Sequence, residues 1–135
     1  MSDHNTAVDQ SSRSVVILGA DALLVALPST PTQLANACVA GGFAGVFPVT
    51  WGDELIAAGC LEQLESRTGP AIFCACPLVA EQLRGAAELH RFIVPLISPP
   101  VAVARYLRLL HPGDALTITY VGDCPGADDD SIDER

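Results

Sequence analysis

Residues 98–123 read SPPVAVARYLRLLHPGDALTITYVGD and combine a helix, a turn and a strand in immediate succession. Ser98 followed by Pro99-Pro100 is typical of a helix start, because proline is tolerated where the first backbone N–H groups lack an intrahelical partner. His111–Asp114 has the composition of a turn, and Leu116–Val121 is rich in β-branched and aromatic side chains. A helix that leads directly into such a strand favours an α/β fold.

The alternation continues toward the N-terminus. Short apolar runs predict three further strands, at Val15–Gly19, Gly45–Val49 and Ala71–Cys74. Helical patterns begin after them, at Thr30-Pro31, Asp53-Glu54 and Cys76-Pro77. The chain is therefore predicted to be an α/β domain with a mainly parallel sheet of about four strands flanked by helices.

Two apolar segments are less regular. Asp21–Leu27 either extends the first strand or begins a turn. Phe92–Ile97 is interrupted by Pro95 and is predicted to cross the domain as an extended segment, because proline removes a donor from a strand.

Length and composition indicate one compact domain of 135 residues, half of them hydrophobic. We predict a disordered leader at 1–14, the domain at 15–127 and an acidic tail at 128–135. The leader lacks the apolar core of a signal peptide, and no apolar run is long enough to cross a bilayer. These features predict a cytoplasmic protein.

The net charge and the types of basic residue exclude several classes of binding partner and of reaction. The net charge is −9, which argues against a nucleic-acid groove or an anionic membrane surface as partner. All seven basic residues are arginine. Schiff-base chemistry and a P-loop, both of which need lysine, are therefore excluded.

The chain has five cysteines, at positions 38, 60, 74, 76 and 124. This odd number argues against a secreted disulfide framework and favours reduced thiols. Cys38 and Cys60 lie on apolar helix faces and are predicted core residues. Cys76 and Cys124 each follow a strand and precede a proline, which favours a metal or redox role. Cys74 is the last strand residue, and its side chain could face either way.

The segments Cys74–Pro77 and Cys124–Gly126 are predicted to share one edge of the sheet, because the carboxyl ends of parallel strands meet there. Iron–sulfur clusters are usually held by four cysteine thiolates, and this edge offers three, Cys74, Cys76 and Cys124. Two alternatives remain open. The cysteines are small core residues, or Cys74 and Cys76 perform thiol–disulfide exchange.

Five motifs carry a family resemblance. Phe73–Pro77, Ile97–Pro99 and Val121–Cys124 occur in the order and spacing of the C-terminal domain of iron-only (di-iron) hydrogenase large chains, which the sequence resembles. Gly42–Phe47 and Trp51–Leu55 are similar to two upstream segments of that family. The resemblance covers about residues 15–130, one of the two lobes of the family's domain.

The resemblance implies that Cys76 and Cys124 match the first two cluster-ligating cysteines. The match is degenerate, since Ala75 stands where the family has a proton-relaying cysteine and Ala127 where it has the lysine that holds the di-iron cofactor. The third cysteine motif of the family has no counterpart in this sequence. Hydrogen turnover by this chain alone is not expected, and Cys74 is a candidate replacement ligand.

The predicted function is binding of an iron–sulfur cluster of the 4Fe–4S type, with a role in redox sensing or electron transfer. The resemblance points to oxidoreductase ancestry and leaves enzymatic activity open. It also implies a redox partner protein or a second hydrogenase-like lobe, and a homo-oligomer is a further prediction. The alternative function is a non-catalytic structural or interaction domain, or a truncated lobe without a cofactor.

Overall fold

The computed structural model describes residues 12–128. Its strands are β1 (Arg13–Leu18), β2 (Gly45–Pro48), β3 (Ile72–Cys74), β4 (Ile93–Pro95) and β5 (Leu116–Val121). Its α-helices are α1 (Ala20–Val25), α2 (Pro31–Ala40), α3 (Thr50–Ser66), α4 (Pro77–Arg84) and α5 (Pro99–Leu110). Short 3₁₀ turns occupy His90–Phe92 and Pro125–Asp128. The predicted α/β class is confirmed.

The strands form two separate parallel sheets. The larger has three strands in the order β2-β1-β5, with Val15 opposite Gly45 on one side and Ile118 on the other. The smaller pairs β3 with β4, placing Cys74 opposite Pro95. The prediction of a single sheet of about four strands was therefore wrong in one respect. The third predicted strand pairs with the proline-containing segment 92–97 and does not join β1.

Three of the five helices, α2, α4 and α5, begin with a proline in the first helical turn, as predicted. At α2, the Thr30 hydroxyl accepts a hydrogen bond from the Gln33 N–H at 3.2 Å, and the Gln33 side chain accepts one from the Thr30 N–H at 2.8 Å. This reciprocal pair is a capping box, and Pro31 follows it at the first helical position. The ambiguous segment after β1 forms the short helix α1, and α3 begins at Thr50, ahead of Asp53.

Helix α5 covers one face of the larger sheet. Val15 and Ile17 of β1 are buried there against Val103, Ala104 and Leu107 of α5. Burial of each such aliphatic side chain contributes about 1.5–3 kcal/mol to folding. Val16 and Leu18 of β1 are buried on the opposite face, as expected for the central strand of a parallel sheet. This central packing positions the loops that follow the strands.

Within residues 12–128, no helix is long and apolar enough to cross a membrane. Most of the predicted leader, residues 1–11, and most of the predicted acidic tail, residues 129–135, lie outside the described residues. The strand β1 begins at Arg13.

Candidate functional site

One buried hydrogen bond joins the loop after β5 to the start of α5. The Ser98 hydroxyl, whose residue is only 5% exposed, donates to the Gly126 carbonyl oxygen at 2.7 Å. A Cβ on Gly126 would collide with the Ser98 side chain and would lie 3.3 Å from Cδ of Pro77. The absence of a side chain at Gly126 therefore lets this loop pack against the starts of both α4 and α5.

The same packing sets two cysteine-proline segments side by side. They do not share one edge of a single sheet, as the sequence predicted, because β3 and β5 belong to different sheets and the segments meet through the loop at Gly126. Cys76 is the residue before α4, in extended conformation, and is partly buried. Cys124 precedes the 3₁₀ turn at Pro125, and its carbonyl accepts a hydrogen bond from the Ala127 N–H at 3.0 Å. Since Pro77 and Gly126 are neighbours, each cysteine lies within two residues of the contact between the segments. Both thiols are free and only partly covered.

Cys74 has a different environment. It is 6% exposed, and its thiol donates to the Cys76 carbonyl at 3.3 Å. The sequence left the direction of this side chain open. In the structure the thiol is buried and has a hydrogen-bond partner within its own loop.

The thiols do not form a ready ligand set. Among residues 12–128, no three His, Cys, Asp or Glu side chains are close enough to hold one metal ion. Cys38 and Cys60, the predicted core cysteines, are half-buried on α2 and α3. All five cysteines are free.

A cavity of about 390 Å³ opens beside Cys124, between the end of β5 and the start of α5. Ile118 and Tyr120 of β5 line it, together with Asp123 and Cys124 of the following loop. Ala127, which stands where the resemblance expects the cofactor-holding lysine, also lines it. Tyr120 was not predicted from the sequence as a site residue. Its position at the carboxyl end of a strand, on the same face as Ile118, was the available signal.

The Tyr120 hydroxyl lies in a cradle between two glycines. A Cβ on Gly122 would collide with it, and a Cβ on Gly19 would lie 2.8 Å away. Burial raises the pKa of the Tyr120 phenol above its ordinary value, and the negative charges of an ionised Cys124 and of Asp21 add to the rise. The neutral phenol is therefore the favoured form beside these groups.

The cradle lies at the ends of β1 and β5, where the chain leaves the two neighbouring strands in different directions. β1 is the central strand, and the chain after it enters α1, which lines a second cavity of about 530 Å³ with Leu18 and Val121. The chain after β5 instead turns toward α5. In open parallel sheets, ligands bind in the crevice where neighbouring strands send their connections to opposite faces. The geometry thus marks this end of the sheet as the candidate site.

Comparisons of the chain with protein-family models, with curated proteins and with solved structures gave no match. A proposal for function therefore rests on the residues of this site. The resemblance to iron-only hydrogenases stays a prediction from the five sequence motifs.

Proposed function

We propose that this chain is an iron-hydrogenase-like domain that binds an iron–sulfur cluster, of the 4Fe–4S type, through Cys76 and Cys124. The observation that carries the proposal is the packing of the two cysteine-proline segments around Gly126, held by the buried Ser98 hydrogen bond. Cysteine thiolates are the usual ligands of such clusters, and both thiols are free and partly accessible.

Two thiolates do not complete a four-iron cluster. Cys74 is the third candidate, and its ligation requires release of its hydrogen bond to the Cys76 carbonyl. The remaining ligands come from a second copy of the chain, a second hydrogenase-like lobe or a small thiol. Ala75 and Ala127 provide neither a proton relay nor a hold on a di-iron group. The proposed role is therefore electron transfer or redox sensing with a partner protein in the cytoplasm, where thiols stay reduced.

The test is anaerobic expression, followed by iron and sulfide analysis and by absorption and electron paramagnetic resonance spectra. We expect about four irons per chain or per dimer in the wild type, and loss of iron in Cys76→Ser and Cys124→Ser. Cys38→Ser and Cys60→Ser are matched controls, since these thiols are also half-buried but lie on α2 and α3. Iron content that is equal in all four variants would reject the assignment.

The alternative function, a non-catalytic interaction domain, is favoured by one observation. Large apolar side chains are exposed on several helices, including Val25, Leu61 and Leu109. Contiguous exposed apolar surface on soluble proteins often marks an interaction site. A well-folded protein that remains free of iron after reconstitution would select this alternative.

A further inference from the structure

An apolar groove runs between α3 and α5. Leu55 and Gly59 of α3 line it on one side, and Tyr106 and Leu109 of α5 on the other, around a cavity of about 290 Å³. A second cavity of about 330 Å³ continues it past Leu55 and Tyr106. Leu109 at the lip is 78% exposed. The groove is thus an open apolar surface.

Gly59 has no role within the described residues that requires a glycine. It lies inside α3, and a Cβ at this position would meet nothing within 4 Å. Glycine in a helix interior is destabilising relative to alanine. At the groove, however, a missing side chain allows the backbone of another helix to approach closely. Gly59 therefore suits a helix that packs from outside.

The two helices that form the groove carry opposite charges. α3 contains four acidic residues and no basic one: Asp53, Glu54, Glu62 and Glu65. α5 contains Arg105 and Arg108 and no acidic residue. Within residues 12–128, the only ion pairs join Arg13 and His111 to Asp114, so no acid of α3 pairs with an arginine of α5. Arg108 is engaged with the Leu116 carbonyl, whereas Arg105 lines the groove.

We propose that the groove is a self-association surface, in which α3 of one copy packs against α5 of a second copy. The charges determine the symmetry. Gly52 near the start of α3 abuts the Pro99 backbone at the start of α5. Farther along both helices, Gly59 and Leu109 line the same cavity, so α3 and α5 run in the same direction. A two-fold axis along the helices sets each acidic α3 against the partner's basic α5. An axis across the helices would set acid against acid, which is unfavourable.

This arrangement selects a pair of charges. Leu55, Gly59 and Glu62 follow at intervals of four and three residues and share one face of α3. A two-fold axis along the helices keeps the Gly52–Pro99 level the same in both copies. Glu62 lies ten residues beyond Gly52 and Arg105 lies six residues beyond Pro99. The difference of four residues places Arg105 of the second copy about one helical turn, roughly 6 Å along the axis, from the level of Glu62. An arginine side chain spans that distance. Glu62 and Arg105 therefore form two equivalent ion pairs across the dimer.

The experiment measures the dimer dissociation constant by sedimentation velocity at low and high salt. Each copy carries a net charge of −9, so salt screens the overall repulsion between copies as well as the proposed ion pairs, and variants are therefore compared at the same salt concentration. Arg105→Glu and Glu62→Arg should each weaken the homodimer at least about tenfold, since each places like charges together. An equimolar mixture of the two variants should recover dimerisation, because both ion pairs re-form with reversed sign.

Two further variants complete the test. Gly59→Trp fills the groove and should abolish the dimer, and the open space at this position lets the monomer fold. Arg84→Glu, at the end of α4, is the matched charge control and should leave the dimer unchanged. Circular dichroism verifies the helical content of each variant. A monomer at every concentration, or a mixture that does not recover, would overturn the proposal.

Discussion

At the scale of single residues, Ser98 and Tyr120 hold the candidate site together in different ways. Ser98 is a buried polar group with one partner, the Gly126 carbonyl, on a distant segment. Tyr120 places its hydroxyl between two glycines and near acidic neighbours. Both side chains link segments that are far apart in the sequence, so substitutions there report on the tertiary structure.

Ser98→Ala should lower the free energy of unfolding by about 1–3 kcal/mol, because the buried Gly126 carbonyl loses its hydrogen-bond donor. Ser98 makes no side-chain capping bond to α5, so the loss reports on the Gly126 contact. Ser66→Ala is the control, since its hydroxyl also donates to a carbonyl, that of Gln63, but at an exposed site. Urea unfolding measures both. Equal losses of unfolding free energy in Ser98→Ala and Ser66→Ala would contradict the claim that the buried hydrogen bond stabilises the fold more than the exposed one.

Tyr120 should titrate above 10.0, the ordinary pKa of tyrosine, because burial and nearby negative charge disfavour its phenolate. The chain has two tyrosines, so Tyr106→Phe leaves Tyr120 as the only phenol in a spectrophotometric titration. A raised pKa in the folded state means that the folded protein holds this proton more tightly than the unfolded chain.

The contribution of Tyr120 to stability is therefore complete below the unfolded-state pKa, about 10, and falls as pH rises through the higher folded-state value. Tyr120→Phe should remove this part of the pH dependence of unfolding. A phenol in Tyr106→Phe that titrates at or below the ordinary value would refute the cradle described for Tyr120.

At the scale of elements, α3 and α5 differ in how much of each helix is buried. α5 buries Val103 and Leu107 against β1 and turns Arg105 and Leu109 outward. α3 has only Gly52 fully buried, where it crosses the Pro99 backbone, and leaves most of its length exposed. Because few residues of α3 are held by tertiary contacts, the helix propensities of its residues contribute directly to the stability of this helix.

Gly59→Ala should raise the free energy of unfolding by about 0.5–1 kcal/mol, because alanine restricts the unfolded chain and fits α3 without a clash. Gly126→Ala is the opposing control, since its Cβ would collide with Ser98. Thermal unfolding, at a concentration where the protein is monomeric, measures the stability of Gly59→Ala and Gly126→Ala, which should change in opposite directions. A loss of stability in Gly59→Ala would show that the position is packed.

At the scale of the whole molecule, the two parallel sheets are joined through α5. Ser98 immediately precedes α5, three residues after the end of β4, and contacts the loop after β5. The later turns of α5 cover β1. The cysteine-proline segments of both sheets meet at this helix start, so the proposed cluster site depends on the position of α5 more than on any one strand.

The amino-acid sequence by itself determined the class of fold and most of its elements. The apolar runs, the Thr30-Pro31 cap and the Ser98-Pro99 start act within a few residues of chain, so local signals suffice to predict them. The rule for parallel strands predicted that Cys76 and Cys124 share one edge of a single sheet. That prediction was wrong in its premise, because β3, which precedes Cys76, lies in a different sheet from β5.

Tertiary structure alone decided which strands pair, that the Cys74 thiol is buried, and that Tyr120 lies in a glycine cradle. Hydrophobic periodicity identifies a strand but does not specify its neighbours, since pairing depends on contacts between distant segments. The separation of β3 and β4 from β1 is of this kind. The same reason explains why Gly126 and Ser98, 28 residues apart, could not be recognised as partners from sequence.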